Sequence, residues 1–165
     1  MNCQNVMGAG IAKAIYEKYP SVKELYHKRC EMYPNQTERS KALYGHYQLI
    51  KISSTLMVAN IFSQDKFGNG PKRGIQFTNS EYLVRSIGDI ASKYPEKTVY
   101  VSEGIGCGYG GGNWEEIGDM INNLQLPNIE ILPRNEIRKE RGESIWVNCA
   151  ESLKDTPIYN EEQEI

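Results

Sequence analysis

The chain has 165 residues and a mass of 18.8 kDa, which suits one compact domain better than two. Hydrophobic residues make up 39% and charged residues 24%, so a core can form and disorder along the whole chain is excluded. Its 19 Lys and Arg against 21 Asp and Glu leave a formal charge of −2, which argues against broad nucleic-acid binding driven by phosphate neutralisation, though a local basic patch remains compatible.

No apolar run approaches the roughly 20 residues of a membrane helix. The opening residues, Met1-Asn2-Cys3-Gln4-Asn5, carry no basic-then-apolar secretory pattern. Cys3, Cys30, Cys107 and Cys149 form no C-x-x-C pair, and His27 and His46 complete no zinc spacing. The expectation is reduced thiols in a cytoplasmic protein without metal or cofactor. Spacing alone leaves open whether two of the cysteines pair.

In chain order, Ile11, Ala12, Ile15, Tyr16 and Tyr19 have the spacing of an apolar helix face that Pro20 stops. Val22, Leu25, Tyr26 and Arg29 predict a second helix running towards Tyr33-Pro34, and the polar stretch 35–40 reads as a loop. Tyr47 and Leu49 predict a strand. The run Leu56-Met57-Val58-Ala59-Asn60-Ile61-Phe62 predicts another, buried on both faces. Residues 66–74, with three glycines and a proline, predict a long loop of the kind that forms binding lids.

Asn79 or Ser80 can cap a helix whose face is Leu83, Ile87, Ile90, Ala91 and Tyr94. Strand 98–102, a glycine-rich loop, a helix carrying Trp114, Ile117, Ile121 and Leu124, and strand 128–132 then make a βαβ unit with parallel strands. One more strand is expected at Ile145-Trp146-Val147. Residues 1–150 are expected to form a single domain, followed by an acidic tail over 151–165. The fold class is α/β.

The strongest feature is Glu103-Gly104-Ile105-Gly106-Cys107-Gly108-Tyr109-Gly110-Gly111-Gly112-Asn113, in which six of eleven residues are glycine. It joins a strand end to a helix start, where ligands of α/β sheets bind. Glycines there let backbone N–H groups converge on one anion, and the helix dipole adds to the attraction. A turn needs one or two glycines; six point to a phosphate or diphosphate. No Gly-Lys-Ser/Thr follows, so this is not a Walker loop. The acidic residue of a dinucleotide fingerprint is also missing. A second loop, Asn2-Cys3-Gln4-Asn5-Val6-Met7-Gly8-Ala9-Gly10, also feeds a helix, and Asn5 brings both donors and an acceptor. Two such loops suggest a cleft that grips one diphosphate from both sides.

The segment from Asn2 to Lys13 resembles the first ligand loop of the macrodomain family, which recognises ADP-ribose. Gly104 to Ile117 resembles the second, phosphate-gripping loop and its helix. The match is nearest the branch of ADP-ribose 1''-phosphate phosphatases and of ADP-ribosyl-glutamate and DNA-guanine ADP-ribose hydrolases. It runs through residues 2–132 in order. The resemblance implies a three-layer α/β/α sandwich with a mixed, largely parallel sheet. Asn5 would meet the distal ribose, and the backbone of Gly8, Gly10 and Ile11 would meet the diphosphate. Gly104, Gly106, Cys107, Gly108, Tyr109 and Gly110 would close from the other side, with Tyr109 over ribose and phosphate.

The sequence departs from that family in two ways. Members place one or two strands and an adenine-contacting acid before the first loop, whereas this sequence begins within the loop. Hydrolases of the branch use a lysine nucleophile and an aspartate in the second loop. Here Gly110 stands at the aspartate's place and Gln64 and Asp65 near the lysine's, followed by Lys66. A glycine can neither transfer a proton nor orient a lysine.

The candidate catalytic residues are therefore Asn5, positioning the ribose, and Asp65 as general base with Lys66 as electrostatic helper. His46 at a strand start is a candidate acid. Cys107 is either a thiol activated at a helix start or a small side chain packed under the loop. The expected function is ADP-ribose binding with hydrolysis of a derivative, release of phosphate from ADP-ribose 1''-phosphate being foremost. The alternative is a non-catalytic binder of ADP-ribosylated protein or nucleic acid, or of an ADP-ribose-like signal nucleotide. No membrane partner is expected.

Overall fold

The computed structural model describes residues 1–133. The strand expected at 145–147 and the acidic tail lie outside the described residues. Three helices come first: α1 (Gly10–Lys18), α2 (Pro20–Glu31) and α3 (Gln36–Leu43). Strands β1 (Tyr47–Lys51) and β2 (Met57–Ile61) follow, then the short α4 (Gly70–Arg73) and α5 (Ser80–Lys93). Strand β3 (Val99–Ser102), helix α6 (Trp114–Asn123) and strand β4 (Ile129–Leu132) complete the series.

Pro20 separates α1 from α2 by opening the second helix, where its missing N–H costs nothing. Helix α3 stands where the polar composition predicts a loop. Asn35 starts it by accepting the Glu38 N–H at 3.0 Å, and only Leu43 is buried. A helix with one buried anchor has no apolar period to display, so polarity misleads there. In the same way Asn69 caps α4 inside the expected long loop, and Gly74 ends it in the left-handed region at φ 63°.

Strands β1 and β2 form an antiparallel hairpin in the register Tyr47↔Ile61 to Lys51↔Met57. β3 and β4 are parallel, Val99↔Ile129 to Ser102↔Leu132, with α6 as the crossover. The mixed sheet therefore comes as two ribbons among the described residues. Val22, Tyr26 and Cys30 of α2 and Leu43 of α3 pack on Ile50, Val58 and Phe62. Leu83, Val84, Ile87 and Ile90 of α5, with Ile117 and Ile121 of α6, pack on Ile61 and Val101. Helices thus cover both faces, and β2 is buried on each side except at Ala59, as an apolar run interrupted only by Asn60 predicts.

The first residues extend this core. The Met1 amino group donates to the Ile61 carbonyl, the Gln64 N–H to the Met1 carbonyl at 3.1 Å, and the Cys3 N–H to the Gln64 carbonyl at 2.9 Å. Because the Phe62 N–H points to His46 on the β1 side, the Ile61 carbonyl points the other way. Residues 1–3 consequently run parallel to the end of β2 on its far edge, which sets the loop after them at the carboxyl end of that strand. Among the described residues no helix is long and apolar enough to cross a membrane.

Candidate ligand cleft

The first loop closes around Asn2. Its Oδ1 accepts the Gln4 N–H at 3.0 Å and its Nδ2 donates to the Val6 carbonyl at 2.6 Å. From α2 the buried Tyr26 hydroxyl donates to the Asn2 carbonyl at 2.9 Å. Asn5, half-buried, takes a left-handed backbone at φ 65°, which Asn tolerates better than most residues. Its Oδ1 lies 2.6 Å from His27 Nδ1. Tyr26, His27 and Cys30 form one face of α2 that carries the loop. Their part in the site is not legible in sequence, since a helix face of Tyr and Cys reads as core.

Two thiols, those of Cys3 and Cys30, are fully buried below the loop. Burial pushes Cys3 up to about 12, with the Asp65 carboxylate adding to the effect. Burial also pushes Cys30 up, opposed by the Tyr26 hydroxyl and the Asn5 N–H. Cys3, Cys30 and Cys107 are free. Among the described residues no three His, Cys, Asp or Glu side chains gather as metal ligands.

Gly8, Ala9 and Gly10 are exposed, and Ile11 lies in the first turn of α1. Asn35, Asn69, Asn79 and Asn113 cap α3, α4, α5 and α6 through their side chains. Ala9 at the start of α1 offers no such group. The first N–H groups of α1 are left for another acceptor, at the positive end of the helix dipole.

The glycine loop after β3 sorts its polar groups by direction. The Gly106 carbonyl accepts the Thr78 hydroxyl at 2.8 Å, the Tyr109 carbonyl the Gly70 N–H at 2.8 Å, and the Gly110 carbonyl the Phe77 N–H at 2.8 Å. The Cys107 N–H closes a turn on the Gly104 carbonyl at 3.1 Å, and its Sγ lies 3.4 Å from the Ile105 carbonyl. The N–H groups of Gly106, Gly108, Tyr109 and Gly110 have no partner among the described residues. Acceptors are taken while donors remain, which is the arrangement of an anion nest. The Tyr109 side chain is 57% exposed beside it.

Gln64 connects the two loops. Its backbone pairs with residues 1–3, and its Nε2 donates at 2.8 Å to the Thr78 hydroxyl, which in turn donates to Gly106. Neither Gln64 nor Thr78 shows this role in sequence, for a polar residue at a strand end has no periodic signature. Asp65 accepts the Ser40 hydroxyl on its carboxylate, and its carbonyl accepts Gln4 Nε2 at 2.6 Å. That carboxylate is tied to α3. Lys66 is exposed, as is His46 before β1.

No family model matches the sequence, and no curated protein matches it. Solved structures do. The macrodomain of Mycobacterium tuberculosis DarG shares 22% identity at a TM-score of 0.58, over 81% of this chain and 83% of that one. The macrodomain of Thermus aquaticus DarG shares 18% at 0.56, over 81% and 83%. This chain has a macrodomain-like fold. A Bacteroides thetaiotaomicron protein of unknown function also superposes, at 21% identity and a TM-score of 0.66, over 81% of this chain and 83% of that one. Macrodomain-like architecture accounts for two loops at strand ends, each opening a helix.

Proposed function

We propose that the cleft binds ADP-ribose or a derivative of it. The observation that carries this reading is the set of unpartnered backbone donors in the glycine loop, at Gly106 and at Gly108 through Gly110. With the uncapped start of α1 they suit a diphosphate approached from two sides. Asn5 then meets the distal ribose, and Tyr109 covers ribose and phosphate.

Binding without turnover fits the residues best. Gly110 supplies no acid, Gln64 spends its amide on Thr78, and Asp65 is engaged by Ser40. Such a protein reads ADP-ribose on a protein or nucleic acid, or sequesters a related nucleotide. Hydrolysis of ADP-ribose 1''-phosphate is the second reading. It rests on Asp65, whose carbonyl is bonded to Gln4 of the first loop and whose carboxylate is the candidate base for a water.

Phosphorus NMR of the protein with ADP-ribose 1''-phosphate separates the two. Shifted, unconverted diphosphate signals are expected, and Asn5→Ala should weaken binding about tenfold, the value of one good hydrogen bond. Free phosphate that disappears in Asp65→Asn would establish the hydrolase instead. Unperturbed signals at millimolar protein would remove ADP-ribose chemistry from the cleft.

A further inference from the structure

The Asn5 side chain is held at one end only. Oδ1 meets His27 Nδ1 at 2.6 Å, while Nδ2 has no partner among the described residues. A carboxamide oxygen accepts and cannot donate, so the hydrogen in this contact belongs to the imidazole. Neutral imidazole carries one hydrogen, and the nitrogen that holds it is set by its partner. His27 is itself fixed by α2, with the Tyr26 ring at 5.2 Å. Without such a brace the two ends of an Asn side chain exchange by a half-turn about one bond.

We propose that His27 is a positioning residue for Asn5: as the Nδ1–H tautomer it donates to Oδ1, so that Nδ2 faces the ligand and donates both hydrogens to oxygen acceptors. Neighbouring hydroxyl oxygens of a ribose are the chemistry that fits two diverging donors. The inference rests on Asn5 being the ribose contact and adds which atoms of the ligand are read. A ligand lacking those hydroxyls loses the same interaction that a His27 variant loosens.

Two measurements on the full chain test this. Long-range proton–nitrogen correlation at pH 7 should show His27 protonated at Nδ1, and Asn5→Ala should return it to the Nε2–H form usual for free imidazole. That spectrum needs no ligand. Titration with ADP-ribose should show about tenfold weaker binding for His27→Leu. His27→Asn, which places a donor near the Nδ1 position, should recover most of it. His27→Leu should cost nothing further in an Asn5→Ala background. An Nε2–H tautomer in the wild-type protein overturns the proposal. So does full affinity in His27→Leu when Asn5→Ala has lost it. Full affinity in both variants overturns the ribose reading and with it the ligand-facing half of this inference, while the spectrum still decides the His27–Asn5 contact.

Discussion

A side chain at Gly110 would have no room. Its Cβ would stand 2.2 Å from Thr78 Oγ1, 2.4 Å from Gln64 Nε2 and 2.5 Å from the Gly106 carbonyl oxygen. Gly110→Ala must therefore break the Gln64–Thr78–Gly106 chain as well as overpack it. About 3 kcal/mol of stability should be lost, read from urea unfolding. Gly108, two residues earlier, is open, with nothing within 4 Å of a built Cβ. Gly108→Ala should change stability by less than about 0.5 kcal/mol. Gly108→Glu should fold equally well yet lower ADP-ribose affinity at least about tenfold, because its carboxylate competes for the unpartnered donors. Unchanged affinity on calorimetric titration of Gly108→Glu would take the second loop out of the site. The glycine run itself is plain in the sequence. Which glycine is sterically required is not, because the atoms that decide it belong to Gln64 and Thr78, far away along the chain.

Helix starts show the same division between stability and binding. Ala9 holds the extended geometry of a capping residue, φ −146° and ψ 165°, but has no side-chain acceptor. Ala9→Asp would bond the first-turn N–H groups and place a negative charge at the positive helix end. A gain of about 1 kcal/mol is expected, read as a higher urea midpoint. The same variant should lose most of its ADP-ribose affinity, since the carboxylate would occupy the donors proposed to meet the diphosphate. Higher stability with affinity intact would move the diphosphate elsewhere. The helices that sequence reveals are those with a face to bury: α5 hides Leu83, Val84, Ile87, Ile90 and Ala91. α3 and α4 escape notice because a capping Asn, rather than an apolar stripe, defines them.

On the scale of the molecule, β2 belongs to two cores, and its apolar run, interrupted only by Asn60, is the sequence signal of that double burial. Its neighbours are another matter. That residues 1–3 would pair along its far edge depends on the direction of single carbonyls, which side-chain patterning does not encode. This pairing buries the Met1 amino group, and burial pushes its pKa from 8.0 down to about 6, the buried Cys3 opposing slightly. In the unfolded chain the amine titrates near its ordinary value of about 8. Between pH 8 and pH 6 the unfolded state therefore binds the extra proton. The amine's contribution to stability should be full above pH 8, fall as the pH drops towards 6, and level off below. Two units correspond to about 2.7 kcal/mol. His27, lowered from 6.5 mainly by burial and then by Lys23, adds a loss of the same sign further into acid. Acetylating Met1 keeps an N–H for the Ile61 carbonyl and removes the charge. Urea unfolding at pH 6, 7 and 8 should then be nearly flat for the acetylated chain and sloped for the free amine. An equal slope in both would assign the titration to another group and leave the Met1 amine without energetic weight.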